Sequence, residues 1–114
     1  MIPAPRYNCA VDAAMSVIEG KWKCTIICLL GINGSMRFNE ILKAIGEISS
    51  RMLSKQLKEL EEDGIVTRTI NDKGPLKISY SLTDKGRSLG PVLNSIAEWG
   101  LKYQFPNRIT IEES

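Results

Sequence analysis

At 114 residues the chain has the length of one domain, able to bury a core without disulfide or metal staples, and its 43% hydrophobic and 25% charged residues are ordinary for a globular protein. No apolar run is long enough to cross a bilayer, and MIPAPRYNCAV lacks the marks of a secretory signal, so a cytoplasmic protein without membrane partners is expected. The formal net charge of +2 is too small to mark a nucleic-acid binder by itself, and the absence of histidine removes the commonest general base and every Ser-His or Cys-His nucleophile. Gly31 and Gly34 are turn glycines around Asn33 and not a phosphate-cradling loop, so no enzymatic activity, cofactor or metal is expected.

Residues 1–8, with Pro3 and Pro5, read as an extended arm. Cys9 to Glu19 then offers helical spacing in Val11, Ala14, Met15 and Ile18, and Gly20 ends that helix. Cys9 opens it, where the helix dipole favours a thiolate and Arg6 is near in sequence, which makes Cys9 a redox candidate beside its ordinary structural reading. KWKCTIICLLG, from Lys21 to Gly31, is apolar on nearly all sides and is expected to be a buried central helix anchored by Trp22. Cys24 and Cys28 lie four apart on it; without further ligands they read as buried small hydrophobes. An odd total of three cysteines argues against a disulfide framework.

The turn GINGS leads to Met36, Arg37 and Phe38 and a short helix from Asn39 to Ile45, whose apolar face is Ile41, Leu42 and Ile45. Gly46 breaks it, and Ser49 is placed to cap the next helix. In that helix Leu53, Leu57 and Leu60 form a stripe joined by Met52, while Ser50, Arg51, Ser54, Lys55 and Lys58 take the opposite side. One side is core and the other basic, the pattern of a DNA-recognition helix; a solvated surface helix is the ordinary alternative. The acidic run Glu59, Glu61, Glu62 and Asp63 ends it and is expected to face away from DNA.

Past Gly64, IVTRTI and ISYSL are rich in β-branched residues, and NDKGP supplies turn chemistry between them. A two-stranded hairpin is predicted, with Val66, Ile70, Ile78 and Leu82 inward and the tip at Asp72, Lys73 and Gly74 in solvent. Thr83 is expected to cap a last helix that carries Leu89, Val92, Leu93, Ile96, Trp99 and Leu101 and bends at Gly90 and Pro91. Residues 104–114 read as a loose tail, so the folded core is placed at 9–103 of a single domain spanning 1–114.

Cys9 with Val11, VIEGKWKCTIICLL, MRFNEIL, Ile48 with Ser49, MLSKQLKELEEDGIVTR, YSLTDKGRSL and Glu98 to Gly100 occur in this order over about residues 9–103. Together they resemble the winged helix-turn-helix of bacterial transcription regulators, and more narrowly the HxlR family. The resemblance implies a mainly α (α+β) fold: a three-helix core, a two-stranded β-wing, and N- and C-terminal dimerisation helices. It also implies a homodimeric regulator that binds double-stranded DNA, with repression as the expectation from class. A recognition helix meets the major groove with its N-terminal residues, which points to Ser49, Ser50, Arg51, Ser54 and Lys55, with Arg51 suited to guanine and Gln56 to adenine. Lys58, Arg37, and Lys73 and Lys77 on the hairpin are candidates for the phosphate backbone. Val11, Met15, Leu93, Ile96, Trp99 and Tyr103 are the candidate dimer interface, against a reading in which Trp99 completes the monomer core. The alternatives are a regulator that senses oxidant through Cys9, one that holds a small ligand between helices, and a winged-helix module that binds protein and never DNA.

Overall fold

The computed structural model describes residues 9–71 and 77–105; the arm at 1–8, the hairpin tip at 72–76 and the tail at 106–114 lie outside the described residues. The described elements are α1 (Ala10–Ile18), α2 (Lys23–Asn33), β1 (Ser35–Arg37), α3 (Phe38–Ile45), α4 (Ser50–Glu62), β2 (Val66–Asn71), β3 (Lys77–Leu82), α5 (Asp84–Arg87) and α6 (Leu89–Tyr103). The core is built from the inward stripes of α2 (Ile26, Ile27, Leu30), α3 (Ile41) and α4 (Leu53, Leu57, Leu60), closed by Ile18, Met36, Ile48, Ile65, Val66 and Leu82. Each large aliphatic side chain removed from water there contributes about 1.5–3 kcal/mol, enough to hold α4 by one edge while its other edge stays in solvent.

The short strand before α3 joins the two-stranded wing, and three expectations change in the structure. The sheet has three strands in the order β1-β3-β2, all antiparallel, because Ser35, Met36 and Arg37 pair with Ser81, Tyr80 and Ser79 along the free edge of the hairpin. Val66 and Leu82 pair and pack inward as predicted, but their neighbours Ile70 and Ile78 do not complete the core; Ile70 is 52% exposed and Ile78 half-buried. Alternation puts Ile70 on the inner face, but it stands roughly 13 Å along the strand from Val66, past the end of the helical body.

The second helix is not buried all round. Lys23, Ile26, Ile27 and Leu30 face the core, whereas Thr25, Cys28, Gly31 and Ile32 are exposed on a side that the described elements cover only in part. Cys28 is therefore exposed and Cys24 half-buried, not the pair of buried small residues expected; Trp22 packs against the core as a half-buried residue at the N-cap. Finally, the last helix is broken at Ser88 and not bent at Gly90 and Pro91. Thr83 Oγ1 accepts the Gly86 N–H at 3.0 Å and starts the short α5, and Pro91 falls in the first turn of α6, where an N–H has no helical partner to lose.

Candidate nucleic-acid interface

α3 and α4 form the helix-turn-helix. Arg37 is the N-cap of α3, which starts at Phe38, one residue earlier than the Asn39 expected, and the Arg37 backbone N–H donates to Glu40 Oε1 at 2.8 Å. Gly46 ends α3 at φ 81°, a left-handed turn that a residue with a Cβ takes only with strain, and this turn sends the chain back toward the core at Ile48. Ser49 then caps α4 as predicted, its Oγ accepting the Met52 N–H at 3.1 Å.

With Leu53, Leu57 and Leu60 buried, Ser50, Arg51, Ser54, Lys55 and Lys58 are all exposed on the free side of α4. Met52 lies at the edge of the stripe, 37% exposed. Gln56 is the one α4 candidate that the structure removes: it is 7% exposed, and its Nε2 donates to Met52 Sδ at 3.2 Å. Gln56 flanks the leucine stripe, about 40° from Leu60 on the side of Met52, and at this burial it cannot reach a base edge.

Arg37 is exposed at the end of β1 and Lys77 at the start of β3, and Lys73 lies outside the described residues. Arg68, which the sequence did not single out as a contact, is a further exposed cation on the sheet. It is exposed on β2 opposite Tyr80, on the face it shares by alternation with Val66 and Ile70. At the far end of α4, Glu59 meets a cation: Lys23 Nζ lies 2.7 Å from its Oε1. The Lys23 hydrogen bond holds the Glu59 carboxyl below its usual range, the charges of Lys23 and Lys55 adding to it and partial desolvation opposing it. Lys85 Nζ donates to the Asp63 carbonyl at 2.8 Å, which ties the end of α4 to α5.

The terminal helices carry the largest open apolar surface. Val11 and Met15 on α1, and Val92, Ile96, Trp99, Leu101 and Tyr103 on α6, are exposed, and α6 has no buried residue. Trp99, at 59% exposure, does not complete the monomer core; it lies with its ring centroid 5.3 Å from that of Tyr103. Leu93 differs from the other interface candidates, since it packs partly against its own core. Beneath α6 runs a mostly apolar groove of about 480 Å³, walled by Ile27, Cys28 and Ile32 from α2, Leu82 from β3, and Leu93 and Ala97 from α6. Cys9 is exposed at the N-cap of α1 and makes no side-chain capping bond. Cys24 Sγ reaches the Ile18 carbonyl at 3.7 Å, and burial, with Cys28 adding, pushes its thiol up. No group of three or more metal-binding side chains occurs among the described residues, and no described helix is long and apolar enough to cross a membrane.

Comparison with known proteins identifies the arrangement. Residues 17–108 match the HxlR-like helix-turn-helix family. The chain is 49% identical over 90 residues to an HTH-type transcriptional regulator of Halalkalibacterium halodurans, a match covering 79% of this chain and 80% of the relative. Among solved structures it is similar to the redox regulator HypR in its reduced form, at 42% identity and TM-score 0.76 over 82% of this chain and 92% of that one. It is also similar to the reduced form of the transcriptional regulator YodB from Bacillus subtilis, at 35% identity and TM-score 0.80 over 89% and 99% of the two chains.

Proposed function

This chain belongs to the HxlR-like helix-turn-helix family of transcriptional regulators, and from that premise we propose that it is a homodimeric, sequence-specific DNA-binding repressor. The observation that carries the reading is the split of α4: its apolar edge is locked into the core while Ser50, Arg51, Ser54, Lys55 and Lys58 stand free on the other edge. Lying in the major groove, α4 presents Ser50, Arg51 and Ser54 first, near its positive end. Arg51 donates two hydrogen bonds to a guanine, worth about 1–3 kcal/mol of discrimination, and Ser49, Lys55 and Lys58 hold the phosphates. Arg37, Arg68, Lys77 and, at the tip, Lys73 meet the backbone of the neighbouring groove, which gives affinity that falls with added salt.

One copy reads few base pairs. A two-fold pair presents two α4 helices about 34 Å apart, or a multiple of it, matching successive turns of one face of DNA. The exposed Val11, Met15, Ile96, Trp99 and Tyr103 on α1 and α6, with Leu93 at their inner edge, supply the contact surface. The decisive experiment titrates the protein against a duplex from the DNA upstream of its own gene and against a random duplex, at low and physiological salt. Salt-sensitive binding with a preference for the upstream duplex is expected; no binding to either at low salt refutes the reading in favour of a protein-interaction module.

A second reading, thiol control, is favoured by Cys9, an exposed thiol at the start of α1 in the proposed dimer surface. Proteins named as redox regulators stand among the similar structures. Oxidation there changes charge and packing at the subunit contact and so the spacing of the two α4 helices. If Cys9→Ser and the parent lose DNA affinity equally with mild oxidant, Cys9 is not the sensor.

A further inference from the structure

The contact between α2 and α4 is apolar except along one seam. Lys23, in the first turn of α2, is buried, and its ammonium lies 2.7 Å from the Glu59 carboxylate on α4. One turn earlier on α4, buried Gln56 leaves its Oε1 without a hydrogen-bond partner. The turn between α1 and α2 presses against both: a Cβ on Gly20 would stand 3.6 Å from Gln56 Oε1 and 3.7 Å from Lys23 Cδ. Gly20 has φ 119°, a conformation that residues with a Cβ rarely adopt.

This seam is a poor choice for stability alone. A buried lysine gives up its hydration, its charge opposes the positive end of α2, and the Gln56 carbonyl is desolvated without recompense. An apolar pair of the same volume would pack against the leucines at no such cost. What the ion pair supplies instead is direction, because leucines can slide past one another and an ammonium on a carboxylate cannot. Side-chain heads on α4 sit roughly 5–6 Å from its axis, so a turn of about 20° carries them about 2 Å, enough to part a bidentate contact with a base.

We propose that Lys23 and Glu59 are positioning residues for DNA recognition, fixing the rotation and register of α4 so that its exposed side chains discriminate between bases that neither residue touches. This rests on α4 being the DNA-reading helix. Glu59 also faces Lys55 on its own helix, so any variant that loses Glu59 frees Lys55 as well as Lys23; Lys23→Met, which keeps Glu59 beside Lys55, separates the two effects.

The test compares the full-length parent, Lys23→Met, Glu59→Gln and the double variant Lys23→Met/Glu59→Leu, each by thermal melting and by titration against the upstream duplex and a random duplex. The double variant, neutral overall in its change of charge, is expected to melt no lower than the parent and to bind random DNA as the parent does. Its preference for the upstream duplex is expected to fall about tenfold or more. Glu59→Gln is expected to lose preference as well, so a folding failure of the double variant leaves the proposal exposed to refutation by the single one. A folded variant that keeps the parental preference overturns the positioning role. So does a parent that binds both duplexes equally, since there is then no discrimination to position; a parent that binds neither overturns the DNA reading itself.

Discussion

Replacing Gly86 by alanine is a direct test of how α5 docks on the body. Gly86 is buried, and a Cβ built there stands 2.2 Å from the Ile65 carbonyl oxygen and 3.2 Å from Leu82 Cδ2. The obstacle is backbone, so no rotamer relieves it; α5 must move away by roughly an ångström. Overpacking of this kind costs about 1–3 kcal/mol. The same carbonyl accepts the Thr83 N–H at 3.0 Å and Thr83 Oγ1 at 3.2 Å, and straining that junction adds about 1 kcal/mol. A loss of about 2–4 kcal/mol corresponds to a melting point lower by roughly 10–25 °C for a domain of this size. Gly31→Ala is the matched control. Its Cβ meets only Leu82 Cδ1, at 3.8 Å, inside α2, so the helix gains about 0.5–1 kcal/mol from the same chemical change. Circular-dichroism melts and urea unfolding of the two variants read the difference. A Gly86→Ala protein melting within a few degrees of the parent, or a Gly31→Ala protein equally destabilised, refutes the described packing of α5 against Ile65.

The Lys23 bond to Glu59 makes stability depend on pH with a definite sign. Because the folded carboxyl is held low, its contribution is complete above the ordinary glutamate range near about 4.3 and disappears as pH falls through the lowered folded value. The stability gap between parent and Glu59→Gln, measured by urea unfolding, is therefore expected to be widest near neutrality and to close in acid; a gap that ignores pH is the contrary result. In DNA titrations Arg51→Ala is expected to weaken specific binding about 5- to 150-fold and relax one base position, whereas Lys77→Ala weakens all sequences alike and lowers the salt slope by about one. The opposite assignment of those two phenotypes would reverse their roles. Ile96→Glu, on an exposed position of α6, is expected to shift sedimentation from dimer to monomer with little loss of secondary structure; an unchanged dimer moves the interface elsewhere.

The parts of the fold that could be read in advance are those in which one helix decides its own sides. Leu53, Leu57 and Leu60 recur with the helical period, so the buried edge of α4 follows from spacing, and the basic edge follows from that. Gln56 is the case that spacing leaves open: it flanks the stripe between Leu60 and Met52, and the turn at Gly20, packed beside its Oε1, is what buries it. Other features depend on how far a neighbour reaches, which no local pattern encodes. Ile70 alternates inward but outruns the helices, and Cys28 and Ile32 sit on the side of α2 that lines the groove beneath α6. Lys23 meets Glu59 across 36 positions of chain, and its one local mark was a charge inside an otherwise apolar run. The break at Ser88 lies between these cases. Pro91 interrupts a long periodic stretch and so suggests a bend, yet proline belongs in a first turn, and α6 starting just before it makes Thr83 the cap of a separate short helix. That short helix sets the direction in which α6 leaves the body, and so sets where the exposed apolar surface of α6 points relative to α4.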